Sequence, residues 1–115
     1  MKLPNGEQAI IPEAKLEEYC LNPLHPDGKH KAKVFEKALG FSISESDELR
    51  KLVLESAEMG NVTKQSKNNF GTLYRVEHTV QGLLQEEILV TLWIIPNIET
   101  QPYLTTSYIK TRKGK

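Results

Sequence analysis

Cysteine is almost missing from this chain: Cys20 stands alone among 115 residues. A lone thiol excludes an intramolecular disulfide and any cysteine-rich zinc site, and it fits a reducing compartment. Net charge is missing too, because 15 Lys and Arg balance 15 Asp and Glu. That balance argues against a nucleic-acid binder acting through overall charge. No apolar run approaches the roughly 20 residues of a membrane span. The longest, Ile88 to Ile95, is broken by Thr91 and reads as a buried strand. Met1 to Ile11 holds no apolar core of signal-peptide length. The expectation is a soluble cytoplasmic protein with no membrane partner.

What is present reads as one domain. The chain is long enough to bury a modest core. Residues 1–110 are expected to form a single α+β domain, and residues 111–115 a disordered basic tail. Pro12 suits a first helical position, and Ala14, Leu16, Tyr19 and Cys20 then give a short amphipathic helix ending before Pro23. A second helix is predicted from Gly28 to Leu39, with Gly40 as its left-handed stop. A third is capped by Ser44 or Ser46, buries Leu49, Leu52, Val53 and Ala57, and ends at Gly60. Asn61 to Gly71 is polar and reads as a mobile loop.

Beyond it the period changes from 3.6 to 2. Thr72–Val80, Gln85–Ile95 and Tyr103–Lys110 are rich in β-branched and aromatic residues and read as strands. The expected fold is therefore α+β, with two to three N-terminal helices packed on a C-terminal antiparallel meander of three to four strands.

Chemistry concentrates where the second predicted helix begins. Pro23, His25, Pro26 and Gly28 lead into Lys29-His30-Lys31-Ala32-Lys33. A helix start attracts anions, so a cationic cluster there suits a phosphate or carboxylate better than it suits helix stability. Lys29, Lys33 and Lys37 recur every four residues as a solvated stripe. His30 and Lys31 lie one turn before Val34 and Phe35, at the open end of the core-facing stripe, from where they reach over the sheet edge. The plain alternative is that all are surface charges, with His25 only orienting the loop. His25, His30 and His78 are too scattered for a metal site, and no cofactor is expected.

On the strands, alternation allows Arg75, Thr91, Trp93, Thr106 and Tyr108 to share a face if the meander is in simple register. That set offers a guanidinium for phosphate, hydroxyls for hydrogen bonds and a ring for a base. A slip of one residue would scatter it. With His30 to move the 2′-OH proton, and Arg75 or Lys31 to stabilise phosphate charge, the set meets the minimum for RNA cleavage without metal.

The block Tyr19-Cys20-Leu21-Asn22-Pro23 through His25-Pro26-x-Gly28-x-x-Lys31-Ala32-x-x-Phe35 resembles the YLLNP-HP-G--KA--F signature of an uncharacterised bacterial domain family. Thr91-Leu92-Trp93 and Pro102 to Tyr108 extend the likeness. Members of that family are similar to domains seen in polymorphic-toxin and phage-related proteins. The order of helices then meander also resembles the barnase–EndoU–colicin–RelE class of metal-independent ribonucleases. Two functions stay open. One is a metal-independent endoribonuclease or toxin-like domain acting on RNA or another phosphate-bearing ligand, through His30, Lys31, Arg75, Thr106 and Tyr108. The other is a non-enzymatic, immunity-like module that grips a protein partner. The sequence fixes no oligomeric state.

Overall fold

A computed structural model describes residues 1–12, 15, 16, 20–26 and 28–110. Among these residues two α-helices precede a sheet, α1 (Lys29–Leu39) and α2 (Ser46–Met59). The sheet contains β1 (Asn61–Lys67), β2 (Gly71–Gln81), β3 (Glu86–Pro96) and β4 (Tyr103–Ile109). It is antiparallel, and its spatial order β1-β2-β3-β4 is the chain order. The fold is thus α+β with the helices first, as the change of period implied. The short helix expected after Pro12, and the tail at 111–115, fall largely or wholly outside the described residues.

Helix α1 forms where the sequence places it. Phe35 and Leu39 are buried, whereas Lys29, Lys33 and Lys37 face solvent. Gly40 ends it at φ 77°, a left-handed conformation that costs glycine least. The cap of α2 differs from expectation. A 3-10 turn over Ile43–Glu45 leads into the helix, and the Glu45 carboxylate accepts the Ser42 N–H at 2.8 Å and the Ser42 hydroxyl at 2.9 Å. Ser42, not Ser44 or Ser46, therefore opens this segment, because its spacing to Glu45 lets the two groups cap each other.

Both helices lie on one side of the sheet, α2 against β2 and β3 and α1 against β4. From the sheet they bury Val76, Leu89, Trp93, Leu104 and Ile109, together with Leu16, Cys20 and Leu21 of the N-terminal segment. A chain of polar side chains crosses this interior. The Trp93 Nε1–H donates to Thr91 Oγ1 at 2.8 Å, and Thr91 Oγ1 lies 3.0 Å from Ser56 Oγ on α2. All three residues are fully buried, so these bonds satisfy groups that water cannot reach. At the N-terminus Gly6 packs on α2 so closely that a Cβ there would lie 2.0 Å from the Ala57 carbonyl oxygen. Ile10 then pairs with Tyr103 as a parallel bridge and covers the start of the β4 edge.

The segment read as a mobile loop is instead strand β1, paired to β2 from Asn61↔Glu77 to Lys67↔Thr72. It escaped the sequence pattern because all of it but half-buried Val62 is exposed, so no apolar alternation marks it. Backbone pairing to β2 alone makes it a strand. Such a polar, lysine-bearing edge also discourages pairing with other chains.

Candidate functional site

Among the described residues no helix covers the other side of the sheet, and the register decides which side chains stand on it. Arg75 pairs with Leu92, and Val76 with Thr91. Thr91 and Trp93 therefore point to the helices and lie in the core, one residue out of phase with Arg75. The expected set loses these two members for that reason. On the far side of β3, Thr106 pairs with Leu92 and Tyr108 with Val90. These two do share a face with Arg75.

A bulge sharpens this result. The β3–β4 register shifts between Leu92↔Thr106 and Trp93↔Leu104, so Thr105 is the extra residue and its hydroxyl donates to the Leu92 carbonyl at 3.0 Å. Leu104 thereby packs in the core, whereas Thr106 and Tyr108 stand on the open face. Strict alternation along β4 would place all three on one face.

The centre of the open face is a depression of about 470 Å³ lined by Lys64, Ser66, Leu73, Arg75, Leu92 and Tyr108, among others. Arg75 reaches Glu77 with Nη2 at 3.2 Å, and Lys110 reaches the other Glu77 oxygen at 3.6 Å. Glu77 thus ties one cation on β2 to a second just past β4. Val90, between Glu77 and Tyr108 in the register, is fully buried although no helix among the described residues covers its face. Among the described residues, the Arg75 Nε–H and Thr106 Oγ1 are buried without a hydrogen-bond partner. A buried donor or acceptor left unpaired costs about 1–3 kcal/mol, so each calls for an explanation beyond the fold.

His30 and Lys31 lie around the β4 edge rather than on the open face. They line a second depression, of about 350 Å³, with Val34, Ile109 and Tyr108. His30 is exposed and Lys31 half-buried. Tyr108 lines both depressions, so it stands between Arg75 on one side and His30 and Lys31 on the other. The five predicted site residues thus split into a sheet group and a helix-edge group that meet at this ring.

The loop before α1 holds the helix-edge group in place. The Gly28 N–H donates to His25 Nδ1 at 3.0 Å, and the Lys29 N–H donates to the His25 carbonyl at 3.0 Å. His25 therefore closes the turn from which α1 starts. His78 belongs to the helix side, where its Nε2 lies 3.0 Å from Glu55 on α2. Sequence reasoning missed Lys64, Glu77 and Lys110. Lys64 sat in an unrecognised strand, and Glu77 was not matched to Arg75 two residues before it on the same strand face. Lys110 closed a predicted strand and showed nothing of its reach across the sheet.

No helix among the described residues is long and apolar enough to cross a membrane. Neither a curated protein nor a solved structure matches the chain. A family model does match, over residues 2–111. The chain belongs to the family described as Domain of unknown function (DUF6883).

Proposed function

We propose that the open face and the adjoining β4 edge form a phosphodiester site centred on Tyr108, which cleaves RNA in the cytoplasm without a metal ion. The observation that carries this reading is the pairing of an unsatisfied buried guanidinium N–H and hydroxyl with an uncovered, cation-bearing depression. A phosphate oxygen is the acceptor that a free Arg75 Nε–H matches. Arg75 and Lys31 would bear the phosphate charge from either side of Tyr108. Thr106 and Tyr108 would orient the strand.

His30 would take the proton of the ribose 2′-hydroxyl. The freed oxygen attacks phosphorus, the bond from phosphorus to the 5′-oxygen breaks, and a 2′,3′-cyclic phosphate remains. The leaving 5′-oxygen then takes that proton back from the imidazolium. The resemblance of the lead-in loop to toxin-associated domains, and of the element order to the barnase–EndoU–colicin–RelE class, supports a toxin-like role by analogy of fold.

A second reading has its own support. Phe70 and Ile98 are 75% and 95% exposed at the tips of the β1–β2 and β3–β4 loops, whose backbones meet through the Asn97 N–H and the Phe70 carbonyl. Two large apolar tips side by side suit an immunity-like module that grips a protein.

Incubation of the protein with mixed RNA in EDTA separates the two. Cleavage is expected to yield cyclic-phosphate ends and to fall by about a hundredfold or more in His30→Ala and Arg75→Ala. Intact RNA, or equal cleavage by wild type and variants, overturns the catalytic reading and leaves the protein-binding one.

A further inference from the structure

A third depression, of about 310 Å³, opens on the far side of α1 and is lined by Pro23, Lys29, His30, Lys33, Phe41 and Glu36, among others. His30 belongs to this one and to the depression it shares with Lys31 and Tyr108. Tyr108 in turn belongs to that depression and to the one on the sheet. The three are therefore consecutive, and each neighbouring pair shares a wall. Every one of them contains cations: Lys64 and Arg75, then Lys31, then Lys29 and Lys33. Each also has an aromatic ring, Tyr108 in the first and second and Phe41 in the third. Among the described residues the acids along this path are Glu36, in the third depression, and Glu77, beside Arg75 on the open face.

We propose that these depressions form one continuous track for single-stranded RNA. It runs from Lys64 over Tyr108, around the β4 edge past His30, to Lys29 and Lys33. The proposal rests on the reading of the open face as an RNA site, and it names the substrate class that site takes. Three strand spacings from β1 to β4 cover about 14 Å, and rounding a helix adds about 10 Å. At roughly 3.4 Å per stacked nucleotide the track holds about seven nucleotides. A mononucleotide occupies one depression only. A duplex is too stiff to turn from the sheet face round to the outer side of α1, whereas a single strand bends there and stacks its bases on the rings.

The test is fluorescence anisotropy with labelled 2′-O-methyl oligouridylates, which lack the attacking hydroxyl and are not cut. A trimer, a decamer and a ten-base-pair duplex are compared at low and moderate salt. The decamer is expected to bind about tenfold or more tighter than the trimer or the duplex. The double variant Lys29→Ala/Lys33→Ala should weaken the decamer about fivefold or more and flatten its salt dependence by about 1.4 log units per log unit of salt. Its effect on the trimer should be smaller than its effect on the decamer, because the trimer does not span the whole track.

A decamer bound no tighter than the trimer, a duplex bound as tightly, or a double variant indistinguishable from wild type each overturns the track. Failure of the wild type to cut RNA while this binding pattern holds overturns the catalytic reading and leaves the track standing. Binding of no oligonucleotide overturns both.

Discussion

Thr91→Val is the substitution that best separates core from site. The change keeps the side-chain volume and removes one oxygen. That oxygen accepts the Trp93 Nε1–H at 2.8 Å and lies 3.0 Å from Ser56 Oγ, with all three residues fully buried. The indole N–H would be left with no acceptor, at a cost of about 1–3 kcal/mol. Ser56 can turn its hydroxyl back to a carbonyl one turn earlier in α2, which recovers part of its loss. The expected total is about 2–4 kcal/mol. For a domain of this size roughly 4 °C of melting temperature goes with each kcal/mol, so the midpoint should fall by about 8–16 °C. Urea unfolding should show the lower midpoint with an unchanged slope, since the buried surface is the same. Any RNA affinity should persist below the transition, because Thr91 faces away from Arg75. Loss of less than about 1 kcal/mol, or lost RNA binding in a fully folded variant, would refute the assignment of Thr91 to the core side.

Arg75→Met should do the reverse. It keeps an apolar stem on the open face and removes an unsatisfied donor, so stability should move by less than about 1 kcal/mol while oligonucleotide affinity drops, as seen by paired thermal melts and anisotropy. Gly6→Ala should cost about 1–3 kcal/mol in chemical denaturation, because its methyl group meets the Ala57 carbonyl and forces the N-terminal turn off α2. The Glu45 carboxyl is held below its ordinary value of 4.5 by the Ser42 N–H and then by the Ser42 hydroxyl. A lowered folded-state value means its contribution is complete above about pH 4.5 and disappears as pH falls through the lower folded value. Melting curves of wild type and Glu45→Gln should therefore differ at neutral pH and converge in acid; a constant gap across that range would contradict the cap.

The helices and the three apolar strands were legible because their burial leaves a period. Gly40 announced its own left-handed stop, and Ile88 to Ile95 announced a strand with company on both sides. What stayed hidden depends on pairing between distant residues. Asn61–Lys67 carries almost no burial to leave a pattern, so only its partner strand reveals it. Arg75 could be grouped with Trp93 or with Leu92 on sequence grounds alone; one residue of register decides, and it decided for Leu92. The bulge at Thr105 then changes parity within β4, which no strict alternation can represent. Arg75, Thr106 and Tyr108 do stand on one face, as alternation within their strands allowed. Lys110 was missed because its meaning comes from Glu77, two strands away.

The strict agreement of strand order with chain order has a consequence for timing. Lys64 enters with the first strand, Arg75 with the second, and Tyr108 and Lys110 only with the last. The chain is made from its N-terminus, and a domain folds as a unit. A growing polypeptide of this design therefore contains its helices and first three strands while still lacking the ring on which the catalytic reading turns. Under the proposed RNA-cleaving reading such lateness would be protective: the template and the ribosome would meet a complete site only after β4 has joined the sheet.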